Sequence, residues 1–400
     1  MNHFTDFEND KLLCQLSGER FSVTYRLFGT EADCRRVADE ITVEQSVEFP
    51  FDQLPPGEIV DQIVGHIESF LKIIDEVYEA VVSFPIENSL PDFTQFLNIV
   101  FGNFSLKPDV QVVEISLPAV LLDQFKGPKY GIPGIRSLIG VYDRPVLFSA
   151  LKPLGLSSAN LSRVAGVFAE NGIDIIKDDH GLADQVYAPF KERVKMCSDA
   201  VLEANARSGH NALYVPNITA PMYLLKERAL YAQECGAGGI MVAPGLVGFD
   251  AMKSLADDPD IHLPIFSHPA FSGSMTVNER QGISLPVFFG YLMRLAGADA
   301  TIFPNYGGRF TFSKEDCIEI AERGKKNIGD IKPMFVCPAG GMKLEKVPGM
   351  IESYGIDVML LIGGGLFSHG DNLAENCRYF NSTVTEISRS YMDQGNMTST

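Results

Sequence analysis

From Val146 onward the chain repeats one unit, in which a short apolar strand is followed by a helical stretch. Eight strands can be recognised in this region, namely Val146–Leu151, Ile173–Ile176, Ala212–Val215, Gly239–Val242, Leu263–Phe266, Ala300–Phe303, Met334–Val336 and Val358–Ile362. The helical stretches include Ser157–Glu170, Leu285–Leu295, Lys314–Arg323 and Asn372–Tyr379. Eight strand–helix units within about 240 residues predict an α/β fold, a (β/α)8 or TIM barrel. An open doubly wound sheet is the alternative, although we find no GxGxxG fingerprint of its nucleotide site.

The residues before this repeat mix strands with helices. The predicted strands are Phe21–Leu27, Tyr78–Pro85 and Val110–Leu117, and the predicted helices are Glu31–Ile41 and Asp92–Val100. Such a mixture predicts a small α+β layer. Three glycines and two prolines between Gly127 and Gly134 mark the change of pattern. We therefore predict an N-terminal α+β domain over residues 1–130 and a C-terminal barrel domain over residues 131–400.

Composition and charge indicate which kinds of molecule the protein can bind and where it works. The net charge of −18 argues against a nucleic-acid surface, which needs clustered Lys and Arg, but leaves room for a small anionic substrate. No apolar run reaches the roughly 18 residues that span a bilayer, and the start of the chain lacks a signal-peptide pattern. The seven cysteines form no CxxC pair, which is typical of reduced thiols. We expect a cytoplasmic protein that binds no membrane.

The second barrel strand ends abruptly in Lys177, Asp178, Asp179 and His180. Residues two apart on a strand point the same way, so Lys177 and Asp179 share one face and Asp178 points oppositely. The carboxyl ends of barrel strands carry the chemistry in enzymes of this fold. A lysine, a carboxylate and an imidazole there predict a metal or proton-transfer site. A structural Lys–Asp ion pair remains the alternative.

Other strand ends add to this cluster. Lys152 follows the first strand and is a candidate general base, the alternative being a surface lysine before a helix. His268 follows the fifth strand. Two glycine clusters follow the last two strands, where barrels usually bind phosphate through backbone N–H groups; they are Gly340 and Gly341, and Gly363, Gly364 and Gly365. The alternative for these glycines is a tight turn that needs positive φ.

These motifs resemble the large subunit of RuBisCO and its RuBisCO-like relatives. The resemblance lies in Lys177-Asp178-Asp179, in Lys152-Pro153 followed by Gly155-Leu156-Ser157, and in Gly363-Gly364-Gly365. It extends towards the N-terminus, where Phe125-Lys126-Gly127-Pro128 resembles the junction before the barrel. There, Gly102-Asn103 and Val43-Glu44-Gln45 resemble segments that reach a neighbouring subunit's active site.

The resemblance implies that the N-terminal α+β domain is ferredoxin-like, and it implies a role for each matching residue. Lys177 would be carbamylated by CO2 to N6-carboxylysine and would bind Mg2+ together with Asp179. Lys152 would transfer the proton, His268 would line the substrate, and the two glycine clusters would hold a phosphate. Asn103 would contact the substrate from the partner subunit, and Glu44 would belong to that shared site. The protein would then be a homodimer or an assembly of dimers.

Four departures from the family pattern argue against carboxylation of ribulose bisphosphate. His180 stands where the family has a glutamate ligand, and Arg309 where carboxylases carry a flexible-loop lysine. Pro269 replaces the arginine for a second phosphate, and the loop after the first strand is one residue short. The substrate is therefore predicted to be a monophosphate. If His180 is a ligand, its nitrogen shifts the preference towards Mn2+ or another transition ion; alternatively it is an acid or base.

Among RuBisCO-like activities, we favour cleavage of a phosphorylated sugar acid through a metal-stabilised enediolate. The specific hypothesis is a lyase or hydrolase: decarboxylation or hydrolytic C–C cleavage of 3-oxo-isoapionate 4-phosphate in apiose catabolism. Lys152 would protonate the carbanion and Arg309 would hold the substrate carboxylate. The first alternative is an enolase or isomerase of a methylthio-ketose phosphate in methionine salvage, which His268-Pro269-Ala270 and Phe303-Pro304 resemble. The second is a non-catalytic binding or regulatory protein on the same scaffold.

Overall fold

A computed structural model describes residues 15–89, 92–308, 310, 312–341 and 343–395. These residues form thirteen strands, namely β1 (Arg20–Phe28), β2 (His66–Ile74), β3 (Val77–Pro85), β4 (Val110–Ser116), β5 (Val146–Leu151), β6 (Ile175–Asp178), β7 (Leu213–Val215), β8 (Ile240–Val242), β9 (Ile265–Ser267), β10 (Gly282–Ile283), β11 (Ala300–Pro304), β12 (Phe335–Ala339) and β13 (Met359–Leu361).

The α-helices of the same residues are α1 (Glu31–Glu44), α2 (Phe93–Phe101), α3 (Ala119–Leu122), α4 (Gly131–Ile139), α5 (Ser158–Glu170), α6 (Phe190–Ser208), α7 (Met222–Glu234), α8 (Pro244–Val247), α9 (Phe249–Asp257), α10 (Gly273–Thr276), α11 (Met293–Leu295), α12 (Lys314–Lys325), α13 (Val347–Tyr354), α14 (Gly364–Ser368) and α15 (Leu373–Asp393). Short 3-10 turns cover Phe51–Gln53, Ile86–Asn88, Asn103–Leu106 and Leu344–Lys346, and π-helical turns cover Ile59–Ile63 and Pro286–Leu292. None of these helices is long and apolar enough to cross a membrane.

The chain packs as two compact units. The first contains the described residues up to Phe125, with Gly273–Phe288 and Ile328–Asp330; the second contains Lys126–Ser272, Phe289–Asn327 and the described residues from Ile331 onward. The predicted division into two domains at 130/131 stays a prediction, because compact packing alone does not show that either part folds by itself. The six cysteines within the described residues are free thiols, whereas Cys14 lies outside them.

The first unit is built on a five-stranded sheet in the order β10-β4-β1-β3-β2. β1 pairs antiparallel with both β3 and β4. Its residues alternate between buried and partly exposed, which places Phe21, Val23, Tyr25 and Leu27 on the core face. Phe96 of α2 packs on this face, with its ring centroid 5.5 Å from that of Phe21. The sheet with its helices is the α+β layer that the sequence predicts.

The second unit is built on an eight-stranded parallel sheet in the order β7-β6-β5-β13-β12-β11-β9-β8. The two ends of this order meet, since Asn217 and Met241 form a parallel bridge and the amide of Ile218 donates to the carbonyl of Met241 at 2.9 Å. The strands are buried along nearly their whole length, as expected for a sheet covered on both faces. The predicted TIM barrel is confirmed.

One end of the barrel is filled by helix α4. Its residues Ile132, Ile135 and Ile139 belong to the same apolar cluster as the first residues of several strands, such as Val146 and Ile175. These first residues lie at the amino ends of the strands. The opposite, carboxyl ends therefore remain available for polar side chains, which is the usual arrangement of functional barrels.

The buried carboxylate of Asp299 ties the start of α4 to the sheet. One oxygen accepts from the backbone N–H groups of Tyr130 and Gly131 at 2.6 and 2.7 Å, and the other accepts from Ile265 at 2.8 Å. Burial raises the pKa of Asp299 to about 6, against the lowering effect of these three donors. Helix α4, whose apolar side chains fill this end of the barrel, is thus held in place by a carboxyl group that is costly to ionise.

Candidate active site

The candidate metal residues lie at the carboxyl end of β6, where successive side chains point to opposite faces as the sequence predicts. Lys177 and Asp179 are almost fully buried and interact electrostatically with each other. Asp178 lies between them and bonds instead to Arg193 and Tyr214 on neighbouring elements. One face of this segment therefore carries the candidate chemistry, and the other carries a structural anchor.

The amino group of Lys177 sits in a setting that favours its neutral form. Its Nζ donates to the carbonyl oxygen of Asp178 at 3.0 Å. Burial lowers the pKa of Lys177 from 10.5 to about 8, although the charge of Asp179 opposes this shift. A neutral amine is the form of lysine that attacks CO2, so the position suits carbamate formation.

Asp179 is the centre of a hydrogen-bonded cluster. Its Oδ2 lies 2.6 Å from Nζ of Lys152, and its Oδ1 accepts from the backbone N–H of His180 at 3.1 Å. Nδ1 of His180 lies 3.3 Å from the same Oδ1. Burial alone would raise the pKa of Asp179, but the bonds to His180 and Lys152 and the charge of Lys177 hold it well below its usual range. Asp179 is therefore a carboxylate across the physiological pH range.

Lys152 lies just beyond the end of β5, and its side chain is 44% exposed. The strand ends at Leu151, and Lys152 extends from it to Asp179. The amine is thus held by a buried carboxylate at one side and remains accessible to a ligand and to solvent at the other.

His268 and His180 form a stacked pair. Their ring centroids are 4.5 Å apart and their planes are inclined by 14°. Nδ1 of His268 accepts from the backbone N–H of Ala270 at 3.1 Å, which assigns the ring proton to Nε2. Burial, together with the nearby charge of Lys177, lowers the pKa of His268 to about 2. His268 is consequently a neutral hydrogen-bond donor at the site.

The stacked arrangement limits how these histidines bind a metal. Imidazole coordinates through a lone pair in the plane of its ring, so two nearly parallel rings cannot both point at one ion. No group of three His, Cys, Asp or Glu side chains within the described parts of the chain is arranged to hold a metal. An oxygen-ligated site needs Lys177 as a carbamate beside Asp179, because an ammonium has no lone pair to offer. With that modification the donors fit a hard divalent cation that keeps several waters.

The two predicted phosphate loops both present open backbone. Gly340 and Gly341, directly after β12, have φ values of +94° and +64°, which favour glycine. A Cβ atom at Gly340, Gly363 or Gly364 would meet nothing within 4 Å. Gly364 and Gly365 form the first turn of α14. The loops leave room at the α-carbons of Gly340, Gly363 and Gly364, and their role in binding phosphate stays a prediction.

Sequence reasoning missed a cation beside the loop after β12. Nζ of Lys346 lies near Gly341, 3.7 Å from the position that a Cβ there would take, and donates to the carbonyl of Gly307 at 3.2 Å. Lys346 follows Gly341 by five residues, and this proximity was the one signal in the sequence. The predicted carboxylate-binding residue Arg309 lies outside the described residues, so its role stays a prediction.

In the first unit, the two residues predicted to serve a partner's site are adjacent. Nδ2 of Asn103 donates to Oε1 of Glu44 at 2.9 Å. The neighbouring Gln45 is buried and donates to the carbonyls of Asn98 and Ile99, which fixes the end of α1 against α2. The structure brings Glu44 and Asn103 together, and their role towards a partner subunit stays a prediction.

Comparison with known proteins assigns the family. Residues 131–378 match the model of the ribulose bisphosphate carboxylase large chain, catalytic domain. The chain belongs to the RuBisCO large-chain family. A RuBisCO-like protein 1 of Rhodopseudomonas palustris is 36% identical over 92% of this chain and 98% of its own length. The 5-methylthioribulose-1-phosphate isomerase of Rhodospirillum rubrum is 37% identical over 92% of this chain and 96% of that protein.

Further relatives of this RuBisCO-like chain agree with the assignment. The 2,3-diketo-5-methylthiopentyl-1-phosphate enolase of Bacillus pumilus is 34% identical over 77% of this chain and 76% of its own. The crystal structure of the Rubisco-like protein from Rhodopseudomonas palustris superposes with a TM-score of 0.84 at 36% identity, covering 92% of this chain and 98% of that one. Octameric Rubisco from Pyrococcus horikoshii, at 24% identity, shares the fold with a TM-score of 0.88 over 95% and 91% of the two chains.

Proposed function

We propose that this RuBisCO-like protein is an enolase or isomerase that moves a proton on a monophosphorylated methylthio-ketose. Two of its relatives, matched over most of their lengths, are named for such reactions in R. rubrum and B. pumilus. The structural observation that carries the proposal is the 2.6 Å contact between Lys152 and Asp179. It places a solvent-accessible amine directly beside the candidate metal residue.

Lys152 is the proton-transfer group in this proposal. Removal of a proton from carbon next to a carbonyl requires a base within hydrogen-bond reach of that carbon. The partly exposed Nζ of Lys152 can approach a substrate that occupies the strand ends, and can exchange protons with water between turnovers. Return of the proton to a neighbouring carbon by the same amine gives isomerisation, and return to oxygen gives an enol.

His268 orients the substrate oxygen that becomes negative. It is neutral, and its proton is on Nε2, because Nδ1 is occupied by the N–H of Ala270. A neutral donor can hydrogen-bond a carbonyl oxygen and its enolate without giving up a proton. Stacking on His180 holds the ring in one orientation.

A divalent cation bound by Asp179 and by a carbamate on Lys177 would polarise the substrate carbonyl and stabilise enolate charge, and Mg2+ suits these oxygen donors. Asp179 is already ionised, and Lys177 has the lowered pKa that carbamate formation needs. His180 as a further ligand, which would favour Mn2+, remains part of the proposal to be tested.

The glycine loops after β12 and β13 would take the phosphate. An added Cβ at Gly340, Gly363 or Gly364 would meet open space, which leaves room for an anion close to the backbone, and the amine of Lys346 lies near Gly341. One phosphate site agrees with a monophosphate, for which the sequence already argues through Pro269. We also propose a homodimer or an assembly of dimers, since Glu44 and Asn103 form a polar pair of the kind that the family shares between subunits.

Cleavage of a 3-oxo sugar acid, which the sequence analysis favoured, has less support. None of the relatives described above is named for such a reaction, and the residue it needs most, Arg309, lies outside the described structure. The two reactions would use the same Lys152 and the same metal site. They differ in the bond that breaks, which is a C–H bond in enolisation and a C–C bond in decarboxylation.

A substrate panel in D2O distinguishes them. The panel contains 5-methylthioribulose 1-phosphate, 2,3-diketo-5-methylthiopentyl 1-phosphate and 3-oxo-isoapionate 4-phosphate, each incubated with Mg2+, bicarbonate and protein. We expect deuterium to enter a methylthio substrate, detected by NMR, without release of CO2. Release of CO2 from the oxo-acid, with no exchange in either methylthio compound, would overturn the proposal.

A further inference from the structure

The side chain of Asn217, which lies two residues beyond the end of β7, holds the segment that follows β6. Its amide is 2% exposed, and Nδ2 donates to the carbonyls of His180 and Leu182, both at 2.9 Å. Oδ1 accepts from the backbone N–H of Thr219 at 3.1 Å. Both hydrogens and the oxygen of this amide are therefore used.

Asn217 is in turn held by Asp178, which points away from the candidate site on the opposite face of β6. Its backbone N–H donates to Oδ2 of Asp178 at 3.0 Å. The same carboxylate accepts from Nε of Arg193 at 3.1 Å and from the hydroxyl of Tyr214 at 2.8 Å. Asp178 and Arg193 are fully buried, so these bonds are shielded from water and cannot be replaced by it.

Arg193 extends the same support along the loop. Its guanidinium donates to the carbonyl of Ala188 at 2.6 Å and to that of Ala183 at 2.8 Å. Together with Asn217 it binds four main-chain carbonyls between residues 180 and 188. The loop thus takes its path from two residues that both hydrogen-bond Asp178, Asn217 through its backbone N–H and Arg193 through its guanidinium.

We propose that Asn217 is a positioning residue that sets the direction of the Asp179–His180 turn, and thereby the stacking of His180 on His268 and the approach of Asp179 to a metal. His180 makes all of these contacts: its carbonyl accepts from Asn217, and its N–H and its ring both contact Asp179. Holding that carbonyl fixes the peptide plane and hence where the imidazole leaves the chain. The metal part of this inference rests on the proposed function; the stacking part does not.

Two variants test the proposal. Asn217→Asp keeps the shape and the acceptor for Thr219 but removes both donors, and Asn217→Ala removes the amide altogether. The matched control is Asn205→Ala: Asn205 also bonds backbone through both amide atoms, to the N–H and the carbonyl of Ala212, just before the amino end of the same strand β7. Thermal unfolding of all variants shows whether each is folded.

The deciding measurement is NMR of protein labelled with 13C in its histidines. The signals of His268, shifted by the ring current of His180, are assigned with His180→Ala. We expect Asn217→Asp to move them towards their positions in His180→Ala, whereas Asn205→Ala leaves them in place. Unchanged His268 signals in the folded Asn217 variants, or an equal change in Asn205→Ala, would overturn the proposal.

A second measurement addresses the metal. The affinity for Mn2+ in bicarbonate buffer, followed by electron paramagnetic resonance, should fall by about 10–100-fold in Asn217→Asp, as is usual when support behind a ligand is lost. Asn205→Ala should retain the wild-type affinity. Wild-type protein that turns over no methylthio-ketose phosphate would refute the proposed function, while the histidine signals would still decide the positioning role.

Discussion

Nδ2 of Asn103 donates a hydrogen bond to Oε1 of Glu44 across 2.9 Å, joining the turn after α2 to the end of α1. The family resemblance predicts that this pair belongs to a site shared between subunits, which mixing of variants can detect. Glu44→Gln and Lys152→Met proteins should each be inactive, yet regain activity when their subunits are exchanged. Random exchange should give about one quarter of wild-type activity, since half of the dimers are hybrids and each has one intact site.

Complementation fails if Glu44 acts within its own subunit, because every site of the hybrid then carries one defect. Mixing Glu44→Gln with Asn103→Ala provides the control. Both changes fall on the same side of a shared site, so this mixture should gain no activity.

Replacement of Lys152 by Met should abolish proton exchange while preserving the fold. Loss of a general acid or base lowers the rate by about 10²–10⁴-fold, and the half-exposed side chain contributes little packing. Deuterium incorporation from D2O measures the rate. Lys195→Met, which removes an exposed lysine paired with Asp199 on α6, should exchange at the wild-type rate. Equal rates in the two variants would remove Lys152 from the mechanism.

Lys177 should take up CO2. Its pKa of about 8, lowered by burial, leaves a substantial neutral fraction at mildly alkaline pH, and this fraction grows as the pH rises through that value. Protein incubated with 13C-bicarbonate should show a carbamate signal in the 13C spectrum that increases over the same range. Lys177→Ala should lack the signal. Lys325→Ala is the control, because the pKa of Lys325 is also lowered by burial although its amine lies elsewhere and donates to the carbonyl of Tyr354. The carbamate signal should remain in this variant.

A methyl group at Gly364 should weaken phosphate binding. The added Cβ would enter open space beside the first turn of α14 and displace a bound anion rather than protein atoms. Loss of one hydrogen bond to a charged group costs about 1.5 kcal/mol, so the inhibition constant of inorganic phosphate should rise about tenfold. In Gly349→Ala, where the new Cβ is equally unobstructed but lies within α13, phosphate inhibition should be unchanged and stability should rise by up to about 1 kcal/mol.

Asp299 should make the barrel less stable as the pH rises from about 4 to about 6. Burial raises its pKa in the folded protein to about 6 from 3.8, so the folded state binds the proton more tightly than the unfolded state. The stabilisation is fully present below pH 4 and is lost through pH 6, and it amounts to at most about 3 kcal/mol. Urea unfolding at several pH values, compared with Asp299→Asn, isolates this contribution. A wild-type stability that rises with pH relative to Asp299→Asn would contradict it.

The barrel strands were predictable because they are buried on both faces and read as continuous apolar runs. β5 has the predicted bounds, and β6 begins and ends two residues later than predicted. The strand β2 was missed for the opposite reason. Its residues are mostly exposed, and its pairing with β3 shifts register after Ile67 and after Lys72, so no regular alternation appears in the sequence.

The site was predictable where residues directly follow the barrel strands, and where the alternation of side chains along a strand decides which of them share a face. That rule separated Lys177 and Asp179 from Asp178 correctly. It could not reveal that Asn217 holds His180, because the two residues are 37 positions apart and the contact depends on how two loops pack. Nor could it show that His180 stacks on His268, which brings together the ends of β6 and β9.

Asn217 holds residue 180 by its main-chain carbonyl rather than by its imidazole. Every amino acid has that carbonyl, so the support does not depend on which side chain stands at this position. Glutamate, the residue of the family pattern, and histidine can therefore occupy the same backbone without rebuilding the loop. A substitution at position 180 can thus change the side chain presented to Asp179 and His268 while the loop that carries it keeps its path.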